Sequence, residues 1–500
     1  MVIVIDMLRQ MPSGCSSITH RLPPEILTKV AYHLVHDKSL VSATHVCRYW
    51  RYTLLSSPLL WSHIEYENEG RALAFLERSK PAPLSISFGR FSTTSEMFKE
   101  SLMTITDRLI ALRGGYTPFL DRFLTQPLPL LQDLDLFDSV TDRPKAKSTP
   151  TLPSVRSLAA RDVDYCLLFH VPNLTNFRFE LKHSSSEPAP LADDLFAFLR
   201  SCPLLEVVFL SCGNRGMDMK FTKGKEVTDA VSLPHLRSFT HTSPSEIIDI
   251  GLFDRLLLPR TCDVEFVVKT HMWTFPKYLR SWTDVFPTPR DPSYLSDVKM
   301  VKTTAVPQIQ STIAFKAEFL SSQNTRISFT RISHQSGYYL MRPSNSTPFI
   351  KLLDFIGSGE IADSIETLRF ESYPVPLNRL TTPPDFTSEL QKFGNLETLV
   401  LWQCDPLVFL KNPSPPRAWC PAIQKLVICL PPPGHPLDPT EMDILKLARD
   451  VAVSRRLYRT PLEAITVVSR DPEGLLRACE REMEELRNSV GSMEVVELND

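Results

Sequence analysis

The sequence predicts an α/β protein in which a small all-α module of three helices precedes a long, repeat-built α/β solenoid with a parallel sheet. Two observations predict this class. Apolar residues within 20–65 recur at helical spacing, and a short apolar motif returns many times from about residue 116 onward. A third observation is the composition, with 42 prolines against 16 glycines, which favours short elements joined by stiff turns.

The first predicted helix begins at Pro23-Pro24, where a missing backbone N–H costs little. It carries an apolar stripe that continues to Val35. A second apolar stretch follows, and a third helix is predicted from Cys47 to about Leu55, before Ser57-Pro58 ends it. A module this small buries little surface, so we expect it to pack against the following domain or a partner.

Four regions are predicted along the chain. Residues 1–19 are expected to be a flexible N-terminus, and residues 20–65 form the helical module. Residues 66–115 are expected to supply a linker helix and strand that lead into the repeats. Residues 116–500 are the repeat region.

The repeat motif reads Pro-x-Φ-x-x-Φ-x-Φ, where Φ is apolar. Each alternating run predicts a short strand with one buried face. Six copies begin at a proline: Pro129, Pro153, Pro172, Pro203, Pro234 and Pro421. Related copies begin at Asp363, Gly394 and Thr460. The Pro234 copy fits loosest, because its last apolar position holds His241.

Helices are predicted before several of these strands, at 118–124, 192–201, 348–356 and 440–455. Near the end, one continuous helix is predicted from Asp471, as N-cap, to Asn488.

Residues 255–345 fit the repeat worst. They predict degenerate repeats with long loops, short strands at 264–269, 312–315 and 326–332, and a polar loop at 299–304.

Several functional classes are disfavoured by the composition and by the motifs sought. The formal net charge of −2 argues against a general nucleic-acid partner. The sequence has no apolar window long enough for a membrane span, so we expect a protein of the cytoplasm or nucleus or both. The ten cysteines lack metal-ligand spacing, and the common catalytic motifs were not found. We therefore expect no metal, no cofactor and no enzymatic activity.

The helical module contains several separated landmark residues. They are Leu22-Pro23-x-Glu25-Ile26-Leu27, then Leu40, then Val46-Cys47-Arg48-x-Trp50-Arg51, then Pro58-x-x-Trp61. In both order and spacing these residues resemble the F-box motif. Residues 72–88 are similar to the segment that follows the F-box in mushroom-type fungal F-box-like proteins.

The resemblance implies a partner and a set of contacts. In that family, the module docks onto a Skp-type adaptor, which links it to a cullin–RING ubiquitin ligase. The implied adaptor-binding residues are Leu22, Pro23, Ile26, Leu27, Leu40, Val46, Cys47 and Trp50. Trp61 is instead expected to close the module against the rest of the chain.

The repeat region resembles leucine-rich repeats, most closely at Leu396-x-x-Leu399-x-Leu401 with its trailing Cys404. Because the period is irregular, an unrelated α/β domain remains the alternative. The residues between the buried positions would face a target protein of unknown identity. Those candidates are Asp135, Phe137, Arg178, Glu180, Phe209, Arg369, Glu371, Val400 and Trp402.

Two functions therefore remain open. The first is a target-recruiting adaptor of a ubiquitin ligase of the SCF type, which supplies proximity while catalysis lies elsewhere in the complex. The second is a solenoid scaffold with no ligase role, in which the helical module is only a cap. A docking module should leave apolar surface exposed, whereas a cap should be satisfied by its own chain.

Overall fold

A computed structural model of the chain describes residues 22–34, 39–89, 95–138, 149–162, 164–181, 192–212, 230–243, 256–259, 261–270, 298–308, 312–321, 326–334, 362–372, 390, 392–402, 422–430, 441–457 and 459–497. The chain divides into two compact units. The first comprises Met1–Glu180 with Ala197–Leu205, and the second comprises Leu181–Phe196 with Glu206–Asp500.

The first unit opens with the predicted helical module. Its elements are α1 Pro24–Tyr32, α2 Ser39–Ala43, α3 Arg48–Leu55 and a 3₁₀ helix at Pro58–Trp61. Leu27, Leu54 and Leu60 are buried at its centre, since each helix turns its apolar side inward. The prediction of three short helices is confirmed.

A parallel sheet with intervening helices follows in the same unit. Its strands are β1 His63–Tyr66, β2 Leu84–Phe88, β3 Leu109–Tyr116, β4 Asp133–Asp138, β5 Ser157–Arg161 and β6 Asn176–Leu181. Each strand pairs in parallel with the next. The helices are α4 Glu69–Arg78, α5 Glu96–Met103 and α6 Pro118–Leu124, with a 3₁₀ helix at Asp164–Leu168. The predicted helix at 118–124 is confirmed by α6.

The sequence then supplies α7 Ala192–Arg200 and the strands of the second unit. These strands are β7 Val207–Cys212, β8 Val231–Ser232, β9 Ser238–Ser243, β10 Leu256–Leu257, β11 Asp263–Thr270, β12 Val298–Gln308, β13 Thr312–Ser321, β14 Arg326–His334, β15 Thr367–Ser372, β16 Thr398–Trp402, β17 Lys425–Cys429, β18 Ala464–Ser469 and β19 Ser492–Glu497. Its helices are α8 Glu441–Leu457, α9 Pro472–Ala478 and α10 Glu480–Arg487, with a 3₁₀ helix at Ala362–Ser364.

The larger sheet of the second unit runs in the order β7, β9, β11, β14, β13, β12, β15, β16, β17, β18, β19. Among these described pairings only β13 is antiparallel to its neighbours. Strands β8 and β10 form a separate parallel pair. Parallel sheets are thus confirmed. The leucine-rich-repeat-like solenoid stays a prediction, because parallel pairing alone does not show that a sheet curves.

The repeat motif sets the buried side of both sheets. The three apolar positions are buried in every one of the nine copies, as in Leu131, Leu134 and Leu136 of the Pro129 copy. The structure also adds a position that the motif had missed, directly before the anchor. It is buried in six copies, at Leu128, Leu152, Val171, Cys202, Leu233 and Phe393.

The polar loop predicted at 299–304 is wrong, because these residues lie within β12. That strand pairs with β13 on one side and with β15 on the other. Two neighbouring ladders satisfy its backbone groups, so Lys302 and the adjacent threonines adopt a strand that their polarity did not indicate. The short strands predicted at 312–315 and 326–332 are found as the longer β13 and β14, and β13 is antiparallel to both β12 and β14.

The single helix predicted from Asp471 to Asn488 is also corrected, because α9 ends at Ala478 and α10 begins at Glu480. The break falls at Cys479, whose ψ is 31°. Buried residues continue through it at Leu475, Cys479 and Met483. The apolar spacing is therefore uninterrupted, and the sequence offered no signal for the break. The helix predicted at 348–356 lies outside the described residues.

Candidate functional site

The N-terminal module is held together by contacts between its own elements. The Nε1–H of Trp61 donates a hydrogen bond of 2.8 Å to the carbonyl of Leu54, which ties the 3₁₀ helix to α3. The hydroxyl of Tyr49 donates to the carbonyl of Leu22 at 2.6 Å and so fixes the segment before α1. These bonds give the module a defined surface.

Trp61 also joins the module to the next helix, as the sequence predicts. Its ring meets Phe75 of α4 edge-on, with centroids 4.9 Å apart. The guanidinium of Arg78 lies 4.7 Å from the Trp61 ring centroid on the same helix. A fully buried indole with these neighbours is a structural anchor rather than a contact for a partner.

The eight residues assigned to adaptor binding do not share one environment. Leu27, Leu40 and Trp50 are buried in the module, so their contribution is to its shape. Ile26 is 43% exposed and Val46 is 50% exposed.

The other three assigned residues also differ in exposure. Pro23 is exposed, whereas Leu22 and Cys47 are half-buried. Cys47 caps α3, since its Sγ accepts the backbone N–H of Trp50 at 3.5 Å. The resemblance had implied an adaptor contact for Cys47 and gave no indication of a cap.

Further apolar side chains reach solvent on the same module and were missed. On α1, Val30 is 40% exposed. With Pro23 and Ile26 it occupies one helical stripe, at i, i+3 and i+7, beside the buried Leu27 and Ala31. We call Pro23, Ile26 and Val30 the α1 stripe. The signal was present in the sequence, because the apolar residues of α1 cover a wider arc than one buried face needs. Val41, Tyr52 and Leu59 are exposed elsewhere in the module.

In the first unit, the outward-facing side chains of β3 to β6 form charged rows. Arg113 pairs in register with Asp135, and Arg161 with Glu180. An oxygen of Asp135 lies 3.2 Å from Nε of Arg113 and 2.6 Å from Nη2 of Arg161. Arg178 contacts Glu180 at 2.5 Å.

These rows contain four of the predicted target-facing residues, namely Asp135, Phe137, Arg178 and Glu180. Phe137 and Glu180 are nearly buried. The structure adds Arg113 and Arg161, which sequence reasoning had missed. Arg113 lies on β3, which no copy of the repeat motif covers, and Arg161 follows the last apolar position of its copy.

In the second unit, three predicted positions form a small cluster. Arg369 pairs with Glu371 at 2.6 Å, and its guanidinium lies 4.7 Å from the ring centroid of Trp402. Val400 faces Arg369 in register but is only 9% exposed. Phe209, on β7, is half-buried.

Burial moves the pKa of several described side chains away from neutrality. Burial lowers the pKa of His241 to about 4, so this side chain is neutral near pH 7. Burial also raises the pKa of Cys262 to about 12 and that of Cys202 to about 11, which disfavours reactive thiolates. Within the ranges given above, no group of His, Cys, Asp or Glu has the arrangement of a metal site.

Comparison with known proteins bears on the module. A family model described as F-box-like matches residues 19–66. No curated protein matches the chain. The chain thus carries an F-box-like domain, and domains of this class are generally interaction modules. None of the helices in the described ranges is both long enough and apolar enough to cross a lipid bilayer.

Proposed function

We propose that this protein is the target-recruiting subunit of an SCF-type ubiquitin ligase. Its F-box-like domain would bind a Skp-type adaptor and thereby a cullin–RING core, in the cytoplasm or nucleus. The sheets would hold a target protein. The chain itself supplies proximity and not catalysis.

The apolar surface of the module is the observation that carries this proposal. Ile26, Val30 and Val46 are at least 40% exposed, although the core beneath them is filled by Leu27, Leu40 and Leu54. A cap satisfied by its own chain has no need of such surface. An amphipathic helix with one exposed stripe is suited to a hydrophobic groove on a partner. The α1 stripe and Val46 are therefore the contacts we assign to the adaptor.

The second half of the proposal is that the repeats stack as an irregular leucine-rich-repeat-like solenoid. Turn residues support stacking, since they bond to the preceding copy. The hydroxyl of Ser154 donates to the carbonyl of Pro129 at 2.6 Å, and the side-chain amide of Asn173 donates to that of Pro153 at 2.8 Å. Asn395 makes the equivalent bond to the carbonyl of Asp363. The fungal origin rests only on the resemblance at residues 72–88.

A scaffold without a ligase role is the second candidate. It is favoured by the contacts of Trp61 with Phe75 and Arg78, and by the membership of module and first sheet in one compact unit. Both features are those of a terminal cap, which a stack of repeats requires.

Co-purification of the full chain with a Skp-type adaptor separates the two candidates. We expect a stable complex with the wild type and its loss in the double variant Ile26→Asp/Val30→Asp, because two charges would enter an apolar interface. The control is Tyr32→Asp, which adds a charge to an exposed position of α1 away from the stripe. A wild-type chain that is folded yet never retains adaptor would leave the scaffold in its place.

A further inference from the structure

On the open side of β3 to β6, the arginines project and the carboxylates are recessed. The side chains of Arg113 and Arg178 are each 56% exposed, and that of Arg161 is 31% exposed. The side chain of Asp135 is 25% exposed and that of Glu180 only 7%. The three arginines nearly balance the two carboxylates in charge, but the arginine side chains are the more exposed.

The ion pairs of Arg113 and Arg161 with Asp135 leave guanidinium N–H groups available to a ligand. A guanidinium carries five N–H groups in a planar fork. Arg113 uses Nε, and Arg161 uses Nη2, on the same oxygen of Asp135. Within the described part of the chain, their other N–H groups make no hydrogen bond. Asp135 thus orients two forks without satisfying either of them.

The spacing of the three arginines matches a short extended segment. Ala159 lies in register between Asp135 and Arg178, so a small side chain separates the two ion-paired groups. Neighbouring strands are about 4.8 Å apart, and Arg113 and Arg178 lie three strands apart, so the cluster spans roughly 15 Å. An extended peptide covers that distance with about four or five residues.

We propose that Arg113, Arg161 and Arg178, which we call the arginine cluster, bind an acidic segment of the target protein. This inference deepens the proposed function and rests on it for the identity of the ligand as a ligase target. Carboxylates spaced along an extended peptide can accept the N–H groups that Arg113 and Arg161 do not use on Asp135, and such charge-assisted hydrogen bonds are strong. A nucleic-acid strand is disfavoured, because the chain has a formal net charge of −2 and so lacks the positive charge of a general nucleic-acid binder.

The test is fluorescence anisotropy on the full chain with a short labelled peptide of alternating Asp and Ser. We expect saturable binding that weakens as salt rises, and no binding of the matching Asn/Ser peptide. In Arg113→Gln/Arg178→Gln the affinity for the acidic peptide should fall at least about tenfold. The control Arg477→Gln/Arg481→Gln removes two exposed arginines from the second unit and should bind as the wild type does.

Three results would overturn the inference: no binding of the acidic peptide to the wild type, an equal loss in the control variant, or tighter binding of an oligothymidylate of equal charge. If the double variant does not fold, the single variants Arg113→Gln and Arg178→Lys are measured, and unchanged binding in both has the same meaning. Adaptor co-purification should be unaffected by any of these substitutions. If the wild type binds the acidic peptide but does not bind the adaptor, the proposed function fails. The arginine cluster would then remain a peptide-binding site.

Discussion

Neighbouring residues of α1 have opposite roles. Leu27 is fully buried, and Ile26, one position earlier, is 43% exposed. One helical step of 100° separates the side that maintains the module from the side that is available to a partner. An effect of mutation on adaptor binding therefore has to be separated from an effect on folding.

Replacement of Leu27 by Ala should lower the free energy of unfolding of the chain by about 3 kcal/mol, because a buried side chain leaves a cavity. Ile26→Ala should cost less than about 1 kcal/mol, since its side chain is partly hydrated already. Urea denaturation of both variants measures the difference. Equal destabilisation would mean that Ile26 is part of the core and not of a docking surface.

His241 makes stability depend on pH. It occupies an inward position of β9, in register with Leu210 of β7 and Phe266 of β11. Burial lowers its pKa to about 4 in the folded chain, so the unfolded chain binds the proton more tightly. The stability from the neutral imidazole is present above the ordinary pKa of about 6.5 and is lost as pH falls towards 4.

We expect the contribution of His241 to make the folded state about 2 kcal/mol less stable at pH 5 than at pH 7. His241→Leu should remove this part of the pH dependence. His235→Leu, at an exposed turn of the same repeat copy, should leave it unchanged. Chemical denaturation at the two pH values provides the comparison, and an unaltered difference in His241→Leu would show that other groups cause it.

At the scale of elements, the packing of the first sheet depends on how closely an aromatic ring can approach strand β3. Gly114 of β3 lies against Phe88 of β2, and a Cβ at this position would come within 2.9 Å of the Phe88 ring. Phe88 in turn contacts the rings of Tyr66 and Phe98. The absent side chain of Gly114 is thus what lets this aromatic group pack under the sheet.

Gly114→Ala should destabilise the first unit by about 1–3 kcal/mol, because the added methyl forces the Phe88 ring out of its place. Phe88→Leu in the same chain should recover part of that loss by making space. Thermal unfolding of the single and double variants measures the coupling. Strictly additive effects would show that the two residues do not interact.

For the whole molecule, adaptor binding and folding should be linked. A partner that binds only the folded module stabilises it by about 2.7 kcal/mol at a hundredfold excess over its dissociation constant. Apparent melting temperature should therefore rise when a Skp-type adaptor is added. The Ile26→Asp/Val30→Asp variant should show no such rise, and an equal rise there would place the interface elsewhere.

The sequence by itself determined the place of the helical module and the inward-facing apolar positions of the repeat strands. Its proline-anchored motif identified three buried positions in each copy, because alternation along a strand follows directly from backbone geometry. The F-box landmarks likewise located the module and the anchoring role of Trp61. These features are local, and short windows of sequence contain them.

Only the tertiary structure decided which apolar side chains are buried between packed elements, which strands pair, and which charged side chains meet. It placed Leu27, Leu40 and Trp50 in the core and Ile26 and Val30 outside, since burial depends on how helices pack against one another. It made β12 a strand through pairing with β13 and β15. It also brought Arg113 and Arg161 to a shared carboxylate, because strand register joins residues that lie far apart in the chain.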